Sequence, residues 1–510
     1  MAAMLNQSNA AIVAAVALLA GLLMFNTSLI LVFVTVLLIL WLSTRRAPGL
    51  PPGPPLLPLV GNIFQMDADP RVAFSKLRRQ YGDIFSVYIF HKPVIVLNGY
   101  KVHKEALVKN ADVFSDRPHS FLSDIFSHNK GILSTNGSTW KDMRKFAVTT
   151  LREFGVGRST IEEKIQQELD KLLKAFEDEG SNEFDCKRLL HNATSNIVSD
   201  LCFGKHYEYN DPRFIRLLDA LEETFSDLGA ANVLDVFPVV RFLPGDFFNY
   251  KRLMRNIKVL EKEVVKHIEE HVNNYDEDEP VEDFTSAFLK EVRHRKQRDE
   301  TFDESHLSMV LTDIFAPGTF DNANSIKWSL LHLLHYPEVQ EKCFQEIQEH
   351  VGQSRRPSMK DKTSLPYVEA TLSEVLRHAD MVPAGVPHTV PHDVQFNGYT
   401  FPKGVTIIPM LNSVLHDPAT WGDPQNFRPD RFLDHEGKYR KRDELVTFSL
   451  GRRACPGESL GRMELFLILT TLIQRFKFVP PSGTLQPLIG IMGIANNAPP
   501  FKCKAIPRNI

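Results

Sequence analysis

Residues 448–457 read Phe448-Ser-Leu-Gly451-Arg-Arg453-Ala-Cys455-Pro-Gly457, and an apolar, helix-spaced stretch, 458–476, follows directly. The cysteine therefore stands just before a helix N-terminus. Unpaired amides and the helix dipole favour an anionic sulfur there, and the glycines let the backbone pass close to a flat ligand. A thiolate so placed is a good iron ligand. The bland alternative is a structural cysteine in a tight turn, which is what most lone cysteines are. Chance agreement at the five positions Phe448, Gly451, Arg453, Cys455 and Gly457 is on the order of one chain in ten thousand at average composition. The ligand reading therefore stands ahead.

Around this segment lie 510 residues, 43% hydrophobic, with 59 Lys+Arg against 62 Asp+Glu. The chain is too apolar for disorder and long enough for one large domain or two packed lobes. A formal net charge of -3 gives no global reason to expect nucleic acid as a partner. Five cysteines, 186, 202, 343, 455 and 503, contain no CxxC pair, which argues against a disulfide framework or a zinc site and for a reducing compartment.

From residue 10 to residue 42 there is no charge, and only Asn26, Thr27 and Ser28 interrupt the apolar run. A helix crosses a bilayer in about 20 residues, so a run of roughly 30 predicts one tilted N-terminal transmembrane helix rather than two. Arg45 and Arg46 would hold its far end on the cytosolic side. A removed signal peptide is the alternative, with no small-residue cleavage site in its favour. The proline-rich stretch after it cannot be helix and predicts a stiff hinge. The expected organisation is an anchor, 1–46, a hinge, 47–58, and a catalytic domain, 59–510.

Residues 84–98 are β-branched and aromatic with a central turn and predict two paired strands; 386–408 returns to strand patterning around Gly398. Apolar residues recur at helical spacing over 138–151, 160–178, 185–203, 212–228, 250–273, 303–335 and 337–351. The expected fold class is mainly α with a small β lobe.

Glu374 and Arg377 lie three apart on one helix face. An isolated pair of this spacing is usually a surface ion pair worth under about 1 kcal/mol. Trp140 and Arg144 stand four apart, as a cation–π pair could. Taken with Phe448 to Gly457, these residues resemble the motifs of the cytochrome P450 family, whose haem signature is Phe-x-x-Gly-x-Arg-x-Cys-x-Gly and whose iron is thiolate-ligated. The resemblance extends over nearly the whole chain. Gly-Leu-Pro-Pro-Gly-Pro, Val-Leu-His-Asp-Pro at 414–418 and Arg-Met-Glu-Leu-Phe at 462–466 are most similar to the animal microsomal clan containing family 2.

The resemblance implies the P450 fold and haem b (iron protoporphyrin IX) with Cys455 as axial ligand. It implies that Arg453, Trp140 and Arg144 meet the propionates, with Arg117 and His388 as further partners. Glu374, Arg377 and Arg431 would form a buried charge cluster. The implied substrate contacts are Phe121, Leu122, Ile125, Phe126, Phe315, Val382, Val386 and Ile491, an apolar set that suits a steroid, fatty acid or xenobiotic. The implied partners are membrane lipid, NADPH–cytochrome P450 reductase and cytochrome b5, with Lys141, Lys145, Arg452 and Arg462 as a basic docking face. The implied location is the endoplasmic reticulum membrane, with the catalytic domain in the cytosol.

One motif departs from the family. Its long helix carries Ala/Gly-Gly-x-Asp/Glu-Thr-Thr/Ser, the acid and alcohol that deliver protons. Here the residues are Ala316-Pro-Gly318-Thr-Phe320-Asp321-Asn322, so Phe320 holds the acid position and Asp321 the alcohol position. Thr319, two residues from Asp321, points about 200° away on a helix. Pro317 removes a helix hydrogen bond and predicts a deeper kink. Gly318 and Asp321 are the candidate catalytic residues. Three readings remain open: a monooxygenase with Asp321 as an unusual proton source, an isomerase of hydroperoxides or endoperoxides that needs no O₂, and a haem-binding protein without turnover.

Overall fold

The computed structural model describes residues 44–508 except 68, 155–158, 277–279, 296–301 and 303, together with 24, 29–36, 38–40 and 42. The predicted membrane span lies largely outside the described residues. Among the described residues no helix is long and apolar enough to cross a membrane.

The helices that frame the site are α1 Pro70–Tyr81, α2 Phe121–Ser127, α3 Gly137–Glu153, α4 Ser159–Asp178, α5 Lys187–Phe203, α6 Pro212–Ala231, α7 Tyr250–Asn273, α8 Phe284–Arg295, α9 Leu307–His335, α10 Pro337–His350, α11 Pro366–Ala379 and α12 Glu458–Arg475. Several start where chemistry dictates. Asp69 accepts from the Arg71 amide with Pro70 at the first position of α1, and proline also opens α10 and α11, where no donor is lost. Gly204 ends α5 in the left-handed conformation.

Strands β1 Ile84–Ile89 and β2 Lys92–Leu97 pair antiparallel. Hairpin β3 Val394–Phe396 and β4 Tyr399–Phe401 turns through Gly398. Strand β5 Thr406–Pro409 then joins β2 in parallel, with Val94 opposite Thr406. Near the C-terminus β6 Phe476–Val479 pairs with β9 Lys504–Pro507, and β7 Ile491–Met492 with β8 Asn496–Asn497.

The core is helical, and α9 runs through it. From Ala323 to Leu334 every residue of α9 is buried, as are Met463 to Gln474 of α12, which is why neither helix carries a polar stripe there. Gly318 lets α5 and α9 approach: a β-carbon at 318 would fall 3.0 Å from Val198 Cγ2. The proline at 317 does not interrupt α9, which stays helical from Leu307 to His335. The proline-rich stretch is not a free hinge. Arg46 donates to Pro54 O (2.8 Å) and Ser86 O (2.7 Å), and the Ser86 amide donates to Pro52 O, tying the segment to β1.

Candidate active site

The cysteine loop is built from its own backbone. The Cys455 amide donates to Phe448 O (2.9 Å), closing the turn. Gly451 has φ +75°, and a β-carbon there would lie 1.8 Å from Leu107 O, so only glycine lets the loop lie against that backbone. Gly457 lies beside the sulfur: a β-carbon there would stand 3.9 Å from Cys455 Sγ, an ordinary contact distance.

The helix N-terminus does not by itself make the sulfur anionic. Although Cys455 is exposed by area, dense protein surrounds the sulfur at short range. Desolvation pushes the thiol up to about 11, with Asp321 and Glu458 adding to the rise and the Gly457 amide and Arg144 opposing it. A cation bound at the sulfur would oppose that rise and favour the thiolate.

Three guanidiniums gather beside the loop. Arg117 Nη1 donates to Val386 O (2.9 Å) and Pro387 O (2.8 Å). Arg453 donates to Ser115 O (2.7 Å), Ile132 O (3.0 Å), Thr135 O (2.6 Å) and Asn136 Oδ1 (3.0 Å), and lies over the Trp140 ring at 3.9 Å. Arg144 donates to Ala454 O. These acceptors are all amide oxygens, none a carboxylate. Burial lowers all three: Arg117 is held well below its usual value by burial, Arg453 and Arg144; Arg453 falls to about 9 through burial and Arg144, with Asp116 opposing; and Arg144 is lowered by burial against the pull of Cys455. Trp140 Nε1 and Arg117 Nε are buried with no partner among the described residues. Crowded cations and two partnerless donors beside one sulfur fit a flat iron-binding group that carries two carboxylates.

His388 is buried beside Arg117. Its Nδ1 lies 2.6 Å from Phe114 O, and burial followed by Arg117 keeps the ring well below its usual value, hence neutral. The proton on Nδ1 goes to Phe114, so Nε2 can only accept. His388 becomes a donor to an anion only if that anion's charge protonates the ring. Asn136, which the sequence reading passed over, accepts from the Arg117 amide (2.7 Å) and donates to Arg117 O (2.9 Å) as well as accepting from Arg453. Asp313 was also missed. Its Oδ2 accepts from the Ile132 (2.6 Å) and Leu133 (2.9 Å) amides and so fixes the loop that supplies acceptors to Arg453. A lone acid in the apolar opening of α9 was the available signal.

The charge cluster comes together. Arg377 makes two bonds to Glu374, 2.7 and 2.8 Å, with both side chains fully buried, and Arg431 Nε reaches Glu374 Oε1 at 3.2 Å. Arg377 also donates to Leu415 O (2.9 Å) and Pro424 O (3.0 Å). It therefore pins the 415–426 segment to α11, in the core rather than at the surface.

On α9, Asp321 is close enough to Cys455 to raise its pKa, and its own carboxyl is pushed up to about 7 by burial. Asn322 turns the other way and donates to the buried Glu464 of α12 (2.9 Å). At Gly318 α9 lies against Val198 of α5, which leaves little room for a side chain there.

The predicted substrate contacts scatter. Phe315 lies about 120° around α9 from Asp321 and lines a small cavity with Phe203, Tyr207, Leu217 and Leu260. Phe121 and Phe126 pack with Leu122 into a satellite cluster with Leu234 and Leu253. Val382 packs against the main core, whereas Val386 and Ile491 are exposed. An apolar residue in a sequence cannot say which of several apolar clusters will take it.

A sequence model of the cytochrome P450 family matches residues 51–505. Vitamin D(3) 25-hydroxylase of Sus scrofa is 39% identical over 492 residues, covering 94% of this chain and 98% of that protein. Cytochrome P450 2D14 of Bos taurus is 37% identical over 488 residues, 94% of this chain and 97% of that protein, and cytochrome P450 2K1 of Oncorhynchus mykiss 37% over 498 residues, 95% and 98%. Identity sustained across domain and cysteine loop alike makes this chain a member of the cytochrome P450 family of haem monooxygenases, related to its family 2.

Proposed function

We propose that the protein is a monooxygenase of the endoplasmic reticulum membrane that holds haem b, receives electrons from NADPH–cytochrome P450 reductase with cytochrome b5 as a further donor, and hydroxylates or epoxidises a lipophilic substrate. When bound, haem supplies the iron chemistry that cleaves the O–O bond, favoured by electron donation from Cys455. Arg117, Arg144, Arg453 and Trp140 would hold its carboxylates. Asp321 carries the reading: its charge is felt at Cys455, and desolvation raises its own carboxyl to about 7, where it can both hold and give up a proton near neutral pH. Neither of the other readings needs such a group. Reconstitution with the reductase and NADPH, followed by product analysis on a steroid and fatty-acid panel, tests it; NADPH consumption with no oxidised product from any of them would count against it.

Of the four basic residues of the proposed docking face, two have no carboxylate partner among the described residues and two are ion-paired. Lys141 and Lys145 are exposed, but Arg452 is paired with Asp112, and Arg462 with Glu458 (2.9 Å). Charge reversal at Lys141 and Lys145 together is expected to slow reduction by the reductase and weaken its dependence on salt, with no change in haem content. An unchanged rate would place the contact elsewhere.

Membrane attachment rests on the anchor and on a second apolar face. Phe64, Val239, Phe242 and Phe247 are exposed, and Phe90 contacts Phe237 edge-on at 4.2 Å, joining the 57–92 and 232–247 regions. Deleting residues 1–46 is expected to release the protein from membranes at high salt with haem content unchanged. Full retention would mean that the second face suffices.

A further inference from the structure

Where the family has an acid, Phe320 is buried, and its ring lies parallel to that of Phe225 on α6, with centroids 4.4 Å apart and planes within 1°. His191 of α5 meets the same ring at 6.0 Å and 64°. Offset stacking of this kind is the favoured aromatic arrangement. Phe225 is also where α6 meets the C-terminal turn between β7 and β8. A β-carbon on Gly493 would lie 3.5 Å from Phe225 O, and one on Gly229, a turn further along α6, 3.6 Å from Gly493 Cα. Helix and turn thus touch with no side chain between them. Three walls, α6, α9 and the β7–β8 turn, close on one another at Phe225, whose ring partner Phe320 precedes Asp321 on α9.

We propose that Phe225 and Phe320 form a specificity-determining latch that shuts the seam between α6 and α9 and restricts the site to slender lipophilic ligands, excluding broad polycyclic ones. The inference rests on the haem-thiolate reading, because it presumes that ligands reach an iron beside Asp321. A carboxylate at 320 could not form this contact. It would sit against a phenyl ring and an imidazole held neutral at about 3, chiefly by burial. The loss of the usual acid and the presence of the latch are therefore one change.

The full-length haem protein can be titrated with imidazole, 1-butylimidazole and 1-(biphenyl-4-ylmethyl)imidazole, each followed by its Soret shift. Phe225→Ala, Phe320→Ala and the double variant are expected to bind the biphenyl compound about tenfold more tightly than wild type, a shift in Kd of one decade. Imidazole should bind all four proteins alike. The double variant should gain no more than the better single one, since either substitution opens the same seam. Phe320→Leu, which keeps most of the bulk, should retain the exclusion. Unchanged biphenyl affinity, equal tightening for all three azoles, or additive gains would overturn the proposal. If the alanine variants lose the thiolate spectrum, Phe225→Leu and Phe225→Val carry the same comparison, graded by side-chain size. Failure of wild type to shift with imidazole would instead refute the haem-thiolate reading.

Discussion

Cys455→Ser should abolish the thiolate absorption of the reduced carbon monoxide complex and, with it, NADPH-driven turnover. A hydroxyl is a poorer and harder ligand than a thiolate, and it lacks the electron donation that favours O–O cleavage. The effect should be confined to the ligand. The turn is closed by the Cys455 amide to Phe448 O, and Gly451 sets the loop's path, so neither depends on sulfur. Retention of the thiolate spectrum by the serine variant would remove Cys455 as the axial ligand.

A comparable loss should follow from Arg377→Leu, through folding rather than ligation. The substitution leaves Glu374 buried with only Arg431 and the Arg428 amide (2.9 Å) as partners, and orphans the Leu415 and Pro424 carbonyls. Stripping one partner from a buried ion pair costs about 3–5 kcal/mol, against a total stability of about 5–15 kcal/mol for a typical domain. Little haem-loaded protein should accumulate. Arg377→Lys should rescue only in part, since an ammonium cannot present the two-pronged face that Glu374 accepts. Near-normal haem content in the leucine variant would show that the cluster is dispensable.

The parts of this molecule legible in its sequence are those where a local rule and the global fold agree. The helices over 160–178 and 250–273 follow from spacing alone and appear as Ser159–Asp178 and Tyr250–Asn273. The pairing of β1 with β2 follows from the apolar run and its turn, whereas the parallel addition of β5, about 310 residues later in the chain, needs a tertiary contact that no local pattern encodes. Helix α8 escaped notice because its apolar residues, among them Phe284, Phe288 and Val292, fall within a charged stretch. At the site, Cys455 and the Glu374–Arg377 pair could be identified because spacing carries their chemistry. The rise in the thiol's pKa could not, because it comes from desolvation by the surrounding fold, which no local pattern encodes. Nor could the fate of Phe121, Phe126 and Phe315, which depends on which apolar neighbour arrives first in space.

The same limit applies to the altered proton motif. From sequence, Phe320 and Asp321 read as two losses, which predicts that Glu at 320 with Thr at 321 would repair the relay. The geometry predicts the opposite at 320, where a carboxylate would break the stack on Phe225. Asp321 is then the proposed proton-holding group, its carboxyl raised to about 7 by desolvation, so that it gives up its proton above that pH.

Product formed per NADPH consumed, compared between wild type and Asp321→Asn with a hydroperoxide-driven control on both, tests that assignment most directly. Proton delivery by a positioned acid is typically worth about 10² to 10⁴ in rate. Asparagine keeps the shape but holds no labile acid proton. The expected result is at least about a hundredfold loss of NADPH-driven product for Asp321→Asn, near-normal hydroperoxide-driven product, and a wild-type yield that falls as pH rises through about 7. Wild-type coupling in the asparagine variant, or an equal loss in the hydroperoxide-driven reaction, would contradict the account.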